Sequence, residues 1–597
     1  MCGIAGVLNI NQKPVNQVDL KRMTDAIIHR GPESEGFWVS NNIGFGHRRL
    51  AIIDLSENGR QPMHFFNRYV ITFNGEIYNY IELKQTLEQQ GVLFFTNSDT
   101  EVLLALYHVY REKMLEFLDG MFAFSIWDSL EKVLFCARDR FGEKPFFYNY
   151  QPNNSFIFAS EMKSLFAFGL QKNVNHEQVF NYLAYDLLDN PEKKSDTFFN
   201  SVNKLQPAHY IKITKDKFEV KKYWSLNTKI DASISFDSAC VKVKELLTES
   251  VKKRLRSDVP IGTSLSGGLD SSTIVCLINS LNHNKEFQQN TFSARFNSPE
   301  FDEGKYINEI VNLTKTKSYQ VYNTENTFLD NLDKIYFHHE VPIGGPSVIC
   351  QWDVMKLAKE NNTTVLLDGQ GADEVFAGYL KYFWVYLSEI YCNDKTFYKS
   401  ENEAVKLLHQ KDYSVGFKRK TEIYAPFIKN LALMFLKSKN RANLYNGISS
   451  DLLAYKKNLP FKTFDSLNET LCYDTTVYGL EKLLKVGDRN STAFSREVRC
   501  PFLSHKLVEY IFSLPASFKM NNGWTKYVLR KSFEDLLPLD ITWRVDKKGY
   551  QPPYSDWLKN KKMIELINDA KEKLIKERII NKEINSWKMI DIYQLIK

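Results

Sequence analysis

A short apolar segment that runs through a serine- and glycine-rich loop into a helical segment most strongly constrains how the chain folds. Residues 259–265 read as a buried strand, residues 266–272 are Ser-Gly-Gly-Leu-Asp-Ser-Ser, and residues 273–277 continue as a helix. A strand that leads through a tight loop into a helix is typical of parallel α/β sheets. Glycines let backbone N–H groups approach an anion, and the helix N-terminus adds its positive end. The segment predicts an α/β sheet with a phosphate site, although two glycines alone are equally typical of a turn.

The sequence begins Met1-Cys2, and a cysteine at this place has chemistry that an internal cysteine lacks. If Met1 is removed, Cys2 carries both a thiol and a free α-amine, whose ordinary pKa is about 7.7 to 8.0. Such an amine accepts the thiol proton near neutral pH, so the nucleophile needs no separate histidine. A cysteine near the start is weak evidence by itself, and the neighbouring residues decide its interpretation.

An acyl-transfer cysteine also needs an oxyanion hole and groups that hold an amide substrate. Polar and glycine residues that follow predicted strands are candidates for these roles: Arg49, Asn74, Gly75 and Asp99. Taken singly, Arg49 or Asp99 is more typical of a surface ion pair.

Length, charge and cysteine usage exclude several classes of protein. A chain of 597 residues predicts at least two domains, because one hydrophobic core stops growing beyond about 250 to 300 residues. The net charge of +7, from 78 basic and 71 acidic residues, gives no reason to expect nucleic acid as a partner. Eight scattered cysteines without a Cys-x-x-Cys pair favour a reducing compartment. Neither a signal-peptide pattern nor a run of about 18 apolar residues is present, so we expect a cytoplasmic protein without membrane contact.

The two parts of the sequence differ in their periodicity. Up to about Leu205 the pattern predicts a strand-rich region with two helices, and near Asp237 helical periodicity begins. We place the domain boundary in the polar, lysine-rich passage between Leu205 and Phe236. The predicted elements are strands 3–8, 69–73, 122–127, 261–265, 291–294 and 364–367, helices near 18–28 and 99–110, and a mainly helical region from about 379. The last forty residues read as a solvated amphipathic helix without chemistry.

Five motifs in the first part together resemble the class II glutamine amidotransferase domain. They are Cys2-Gly-Ile-Ala-Gly, His29-Arg-Gly-Pro, Gly46-His-Arg-Arg-Leu-Ala-Ile, Phe73-Asn-Gly-Glu-Ile-Tyr-Asn and Ser98-Asp-Thr-Glu. The resemblance implies an α+β N-terminal nucleophile fold over residues 2–215, an αββα sandwich in which Cys2 attacks glutamine.

The same resemblance implies roles for individual residues. Arg49 would bind the α-carboxylate of glutamine and Asp99 its ammonium group, while the Asn74 side chain and the Gly75 backbone N–H would hold the oxyanion. The implied glutamine-binding residues are Arg49, Leu50, Ala51, Ile52, Ile53, Asn74, Gly75, Glu76 and Asp99, and the implied catalytic residues are Cys2, Asn74 and Gly75.

The second part resembles the ATP-pyrophosphatases and, within them, the asparagine synthetase domain. The string Ser266-Gly-Gly-Leu-Asp-Ser is the ATP-pyrophosphatase signature, and a Walker-type loop is absent from the sequence. Three further segments match the synthetase domain: residues 367–379, residues 488–503 and Arg544-Val-Asp-Lys-Lys-Gly549. The resemblance implies an α/β parallel-sheet ATP-pyrophosphatase domain over residues 236–597 with a helical C-terminal part.

By this resemblance the second domain binds ATP and Mg²⁺. The implied ATP-binding residues are Leu265, Ser266, Gly267, Gly268, Asp270, Ser271, Ala294, Asp368 and Gly369. Asp270 and Asp373 would lie near Mg²⁺ and pyrophosphate, and Gln370 and Lys547 would serve adenylate formation. Taken singly, Lys547 and its basic neighbours Lys526, Arg544 and Lys548 are equally compatible with solvated side chains.

Two positions depart from the family pattern. Gln370 replaces the glutamate of the better-known asparagine synthetases, and a neutral amide cannot act as a carboxylate does, so its role would shift to Glu374 or to solvent. Ser504 replaces the aspartate that usually follows Pro-Phe-Leu. The Gln370 change keeps open a second hypothesis, in which the same mechanism amidates a different carboxylate, on a sugar or a peptide.

The resemblance implies synthesis of asparagine from glutamine, aspartate and ATP, with ammonia passing internally from the Cys2 thioester to a β-aspartyl adenylate. Internal passage is expected because ammonia released into water would become ammonium, which has no free lone pair. Intact Cys2, Asn74 and Asp99 argue against a non-catalytic paralogue, and Cys2 argues against a β-lactam synthetase relative. The family also implies a homodimer.

Overall fold

In the computed structural model the described residues are 1–282, 288–415, 445–456, 464–547 and 552–597. Two six-stranded antiparallel sheets form the first part of the chain. In spatial order, the first sheet contains Asn203–Lys204, Phe147–Gln151, Ser155–Ala159, Gly3–Asn9, Ile43–Arg49 and Ser34–Ser40. The second sheet contains Phe218–Lys222, His209–Ile213, Val133–Arg138, Gly120–Asp128, Tyr69–Ile77 and Met63–Phe65.

The two sheets pack face to face between layers of helices. Alternating side chains explain the layering, because neighbouring residues of a strand point to opposite faces. Ile4 and Phe45 of the first sheet share a buried core with Val70 and Leu134 of the second. The outer face of each sheet is covered by helices, which gives an α+β sandwich with the order helix, sheet, sheet, helix. The predicted N-terminal nucleophile architecture is thereby confirmed.

The first part has more helices than its sequence pattern predicts. Two helices were expected, whereas five are present: Gln17–Asp25, Tyr80–Gln89, Asp99–Tyr110, Met162–Phe168 and His176–Tyr185. The helix Asp99–Tyr110 has the predicted bounds, since Ser98 caps its first turn. The helix Tyr80–Gln89 escaped prediction because Leu87 is its one fully buried residue, so its apolar periodicity is weak.

The second part is built on a five-stranded parallel sheet. In spatial order its strands are Lys317–Tyr322, Asn290–Arg295, Ile261–Ser264, Val365–Leu367 and Glu497–Arg499. Three of these strands, Ile261–Ser264, Asn290–Arg295 and Val365–Leu367, were predicted, and each of their ends lies within one residue of the predicted end. The strand Glu497–Arg499 lies inside the region expected to be helical, and its sequence Glu-Val-Arg carries no apolar run that would have indicated it. The predicted α/β fold of this part is confirmed.

Helices surround the parallel sheet and dominate the rest of the described chain. They are Phe236–Arg254, Leu269–Leu281, Gly304–Thr314, Glu325–His339, Val348–Glu360, Ala372–Val375, Phe383–Asn393, Lys395–His409, Ser450–Leu453, Leu467–Tyr473, Leu480–Ala493, His505–Ser513, Ala516–Lys519, Tyr527–Ser532, Leu539–Thr542, Tyr554–Trp557, Lys561–Lys576 and Ser586–Ile596. None of the helices in the described ranges combines the length and the apolar character that crossing a bilayer demands.

The two parts share hydrophobic cores. Leu50, Ile52 and Phe141 of the first part lie in the core of the second part. The C-terminal helices Lys561–Lys576 and Ser586–Ile596 bury residues against the outer helices of the first part. The expected amphipathic helix is present as two helices: their apolar residues pack on the helical layer of the first sheet, and the polar face of Lys561–Lys576 is exposed.

Candidate active sites

The half-buried Cys2 thiol lies directly before Gly3–Asn9, an interior strand of the first sheet. Its Sγ donates to the carbonyl oxygen of Leu50 at 3.6 Å. Burial raises the pKa of the Cys2 thiol to about 11, and burial lowers the pKa of the Met1 amine to about 6. Met1 fills a small apolar site with Tyr78 and Met121. With Met1 attached the burial of the thiol therefore favours its protonated form.

Asn74 and Gly75 form a cradle beside this sulphur-bearing strand end. The Asn74 side chain is fully buried, and neither its amide nitrogen nor its oxygen has a hydrogen-bond partner. Gly75 has a φ of +151°, and a Cβ there would lie 2.1 Å from the carbonyl oxygen of Met121. A buried polar group without a partner costs free energy unless a ligand uses it. Both amide atoms of Asn74 are therefore unpaired among the described residues.

Arg49 is the last residue of the strand Ile43–Arg49, and its guanidinium is buried without a carboxylate partner among the described residues. It donates to the carbonyl oxygens of Asp54 and Ser56, the latter at 2.8 Å. No carboxylate in the described ranges lies within ion-pair distance of it, so its charge is available to an anionic substrate group.

The residues after Arg49 form the wall between the two parts of the chain. Leu50 and Ile52 are buried in the second part's core, and Ile53 packs against that core. The Ala51 N–H donates to Glu33 Oε2 at 2.6 Å, and the Ile52 carbonyl accepts from the Asp258 N–H at 2.9 Å. The predicted glutamine-binding loop thus contacts the second part directly.

Asp99 lies in the first turn of its helix, with 5% of its surface exposed. Its Oδ2 accepts from the Ile77 N–H at 2.9 Å, which ties it to the strand that carries Asn74. Burial raises the pKa of Asp99 to about 6, because the charged form loses its hydration. The structure therefore brings Cys2, Asn74 and Asp99 to one edge of the sandwich.

The predicted phosphate loop follows the central strand of the parallel sheet. Gly267 has a φ of +74°, and a Cβ there would lie 2.8 Å from Tyr306 Cβ. The Ser266 N–H donates to Ser271 Oγ at 3.2 Å, which closes the loop over the start of the helix Leu269–Leu281. Leu265 is fully buried and Ala294 nearly so, at the ends of adjacent strands. This is the C-terminal edge of a parallel sheet, where ligands bind in α/β proteins.

Asp368, Gly369 and Gln370 follow the neighbouring strand at the same edge. A Cβ on Gly369 would lie 3.0 Å from Asp270 Cβ, so the two loops are in contact. Asp368 Oδ1 accepts from the Gln370 N–H at 3.2 Å. The Gln370 side-chain oxygen is buried without a hydrogen-bond partner, and it faces Gly487. Gln370, the residue that departs from the family pattern, therefore has a side-chain oxygen without a hydrogen-bond donor.

Two carboxylates and two lysines meet beside these loops. Lys526 Nζ lies 2.6 Å from Asp270 Oδ1 and 2.6 Å from Asp373 Oδ1, and Lys547 Nζ lies 2.8 Å from Asp373 Oδ2. The two ammonium groups hold the pKa of Asp373 well below its ordinary value against the opposing effect of burial. Lys526 and Arg544 are buried, so the possibility that they are solvated is excluded. Lys548 and Gly549 of the predicted motif lie outside the described residues.

Arg30 was not assigned a role from the sequence, yet it joins the Cys2 backbone to the second part of the chain. Its Nε donates to the Cys2 carbonyl at 2.9 Å, and its Nη1 and Nη2 each donate to the Asp488 carboxylate at 2.9 Å. Nη1 also donates to Glu161 at 2.7 Å. The signal was present in the motif His29-Arg-Gly-Pro, but a partner 458 residues away cannot be inferred from a motif.

The fold and both sites define a class of protein: an N-terminal nucleophile amidotransferase joined to a nucleotide-using synthetase. The family described as glutamine amidotransferase domain matches residues 1–224, and the family described as asparagine synthase matches residues 242–586.

Curated relatives match over nearly the whole chain. Asparagine synthetase [glutamine-hydrolyzing] 1 of Bacillus subtilis (strain 168) is 34% identical over 94% of this chain and 88% of its own length. Asparagine synthetase [glutamine-hydrolyzing] 3 of the same organism is 30% identical over 94% of this chain and 89% of its own length. The chain belongs to the family of glutamine-hydrolysing asparagine synthetases.

Proposed function

We propose that the protein makes asparagine from aspartate with nitrogen taken from glutamine. The observation that carries the proposal is the Arg30 side chain, which holds the Cys2 carbonyl with one nitrogen and Asp488 of the synthetase part with two others. A glutaminase site and a nucleotide site on one chain, tied by one buried residue, serve a reaction that transfers nitrogen between them.

In the first half-reaction the Cys2 thiol attacks the carboxamide carbon of glutamine and ammonia leaves. The Cys2 α-amine, freed by removal of Met1, takes the thiol proton. The Asn74 side chain and the Gly75 backbone N–H donate to the oxyanion. The Asn74 amide nitrogen, which otherwise has no hydrogen-bond partner, gains one in this way. Water then releases glutamate from the thioester. Arg49 binds the α-carboxylate of glutamine and Asp99 its ammonium group, with the loop Leu50 to Ile53 and Glu76 forming the surrounding wall.

In the second half-reaction an oxygen of the aspartate side-chain carboxylate attacks the α-phosphorus of ATP and pyrophosphate leaves. The loop Ser266, Gly267, Gly268, Ser271 cradles the phosphates, and Leu265, Ala294, Asp368 and Gly369 contact the nucleoside. Ammonia attacks the acyl carbon, AMP leaves, and asparagine is formed. Lys547 stabilises the charge on the adenylate, and Gln370 holds the acceptor as a hydrogen-bonding group instead of a base.

The donor set at Asp270 and Asp373 fits Mg²⁺ that arrives with the nucleotide. Mg²⁺ is commonly held by one or two carboxylates plus substrate phosphates. Across the described ranges no group of three potential ligand side chains could hold a metal without such phosphates. Bound Mg²⁺ would neutralise phosphate charge, while Lys526 and Lys547 are placed to move from the carboxylates to the phosphates.

We propose further that residues 2–215 and 236–597 are the two domains, that the chain forms a homodimer, and that it works in the cytoplasm. The strand Phe218–Lys222 pairs with His209–Ile213 in the second sheet, which supports extending the proposed first domain from residue 215 to residue 222. All eight cysteines are free thiols, which supports a reducing compartment. Limited proteolysis and light scattering of the purified chain test the boundary and the dimer.

Purified protein supplied with glutamine, Mg²⁺-ATP and aspartate tests the proposed reaction. We expect pyrophosphate release that depends on aspartate, with asparagine and glutamate as products. Release with a sugar or peptide carboxylate and none with aspartate would refute the assignment. The variant Cys2→Ala should lose glutamine use and keep synthesis from ammonium salts. Loss of both activities in a folded Cys2→Ala variant would contradict two separable sites.

A further inference from the structure

Arg499 contacts both half-sites although no role has been assigned to it. It ends the strand Glu497–Arg499 at the edge of the parallel sheet, and its side chain is completely buried. A buried guanidinium must satisfy its five donors or carry a large desolvation cost. Its contacts therefore show what the surrounding structure uses it for.

The main chain of Arg499 fixes the nucleotide loop. Its carbonyl oxygen accepts from the Asp368 N–H at 2.9 Å, and the strand pairs Leu367 with Arg499. Asp368 is the first residue of the segment that contains Gly369 and Gln370. This hydrogen bond links the loop that contains Gly369 and Gln370 to Arg499.

The side chain of Arg499 reaches the glutaminase site. Its Nε donates to Glu497 Oε1 at 2.7 Å, and its Nη1 donates to the carbonyl oxygens of Arg254 and Arg256 at 2.8 and 2.6 Å. The remaining nitrogen, Nη2, faces Glu76 Oε2 at 3.5 Å. Glu76 directly follows the proposed oxyanion residues Asn74 and Gly75.

The Arg499 to Glu76 contact is incomplete. Nη2 and Oε2 are both buried, and neither has a hydrogen-bond partner. Charge-assisted hydrogen bonds between such groups are usually about 2.7 to 2.9 Å long, so an approach of about 0.7 Å would complete one. Burial, together with the like charge of Glu497, raises the pKa of Glu76 well above its ordinary value in this open arrangement. Closing the gap would satisfy both buried groups at once. The contact therefore has an open arrangement, which the structure shows, and a closed one in which the hydrogen bond forms.

We propose that Arg499 is a positioning residue that couples the two half-sites, and that its contact with Glu76 closes when nucleotide and acceptor occupy the synthetase site. Closure draws the strand Tyr69–Ile77 into the arrangement in which Asn74 and Gly75 hold the oxyanion. Glutamine is then hydrolysed fastest when an adenylate is ready to receive ammonia. The proposal rests on the proposed function, because it needs both half-reactions.

A fixed structural strut is the competing interpretation of the same contacts. A strut would stabilise the interface equally in every ligand state, so its replacement would lower stability without changing how one site responds to the other. Coupling predicts a change in that response. The two interpretations therefore differ in a measurable quantity.

The variant Arg499→Lys tests this difference, because lysine keeps the charge but cannot make the forked set of contacts. Arg496→Lys is the matched control, since Arg496 lies three residues away and donates to Thr364 Oγ1. Glutamate formation is measured with and without Mg²⁺-ATP plus aspartate. We expect kcat/KM for glutamine to rise by about fivefold or more in the wild type and in Arg496→Lys, and to stay flat in Arg499→Lys. An Arg499→Lys enzyme that responds like the wild type would overturn the proposal.

A second measurement needs no variant. A diazoketone analogue of glutamine alkylates a reactive thiol, so the rate of Cys2 labelling in the wild type reports the state of the glutaminase site. We expect faster labelling when a non-hydrolysable ATP analogue and aspartate are present, and an unchanged rate would refute coupling even if Arg499→Lys does not fold. Absence of any Cys2 labelling, or of AMP formation, would instead refute the proposed function.

Discussion

The unpaired amide of Asn74 predicts a trade-off between stability and activity. The variant Asn74→Leu replaces the buried amide with an apolar side chain of similar size and leaves no partner behind, since neither amide atom has one. Each buried polar atom without a partner costs about 1 to 3 kcal/mol. Relief of two such atoms, less the cost of imperfect packing, should stabilise the first domain by about 1 to 3 kcal/mol.

The same substitution removes an oxyanion donor, and loss of one such donor lowers kcat by about 10²- to 10³-fold. The midpoint temperature of thermal unfolding should therefore rise by about 2 to 4 °C for each kcal/mol of added stability. Glutamate formation by the same variant should nearly disappear. Synthesis from ammonium salts should continue, because Asn74 lies in the glutaminase site.

Asn490→Leu is the matched control for this experiment. Asn490 is equally buried, but its oxygen contacts the His339 ring at 2.9 Å and its nitrogen donates to the Val348 carbonyl at 3.1 Å. Leucine there leaves these partners unsatisfied, so we expect destabilisation of about 1 to 3 kcal/mol. If Asn74→Leu proves as unstable as Asn490→Leu, the Asn74 amide has hydrogen-bond partners in solution, and the claim that it is unpaired is refuted.

Three further outcomes are expected. Gly75→Ala should abolish glutamate formation and leave ammonia-dependent synthesis, because its Cβ would lie 2.1 Å from the Met121 oxygen; an active variant would show that this backbone is not constrained. Burial raises the pKa of Asp99 to about 6, so its charged form is lost as the pH falls through 6 and KM for glutamine should rise there. Asp99→Asn should show a high KM without this pH dependence, and a wild-type KM that stays flat from pH 7 to 5 would exclude Asp99 as the ammonium partner. Lys526→Met should lower pyrophosphate release by about a hundredfold and spare glutamate formation; equal loss of both would point to misfolding.

The sequence predicts much of the fold because local chemistry and tertiary structure agree in the places where motifs occur. The strand before Leu265 and the helix after Gly268 appear where the glycine loop requires them, since Gly267 adopts a positive φ that other residues avoid. The short strand Glu497–Arg499 could not be predicted in this way. Three residues with two charges give no apolar alternation, and the strand forms because Val365–Leu367 offers a free edge.

Site residues can be predicted from the sequence where they belong to a motif. They cannot be predicted where their role depends on partners that are distant in the sequence. Cys2 would have its own base once Met1 is removed, and the motifs around it point to that role. Lys526 has no motif, and its position between Asp270 and Asp373 results from tertiary folding across more than 150 residues. Asp591 was equally hidden: its buried carboxylate accepts from the Tyr336 hydroxyl at 2.6 Å and from the Tyr182 hydroxyl.

Buried ion pairs cluster where the two parts of the chain meet. Arg30 contacts Glu161 and Asp488, and Arg489 contacts Glu161 and Glu340, all with side chains at most 6% exposed. Removing one partner from such a set typically costs about 3 to 5 kcal/mol, because the remaining charge stays buried. Separating the two parts would break the pairs Arg30–Asp488 and Arg489–Glu161, and it would expose the shared cores. Opening the interface is therefore far less favourable than a small movement within it.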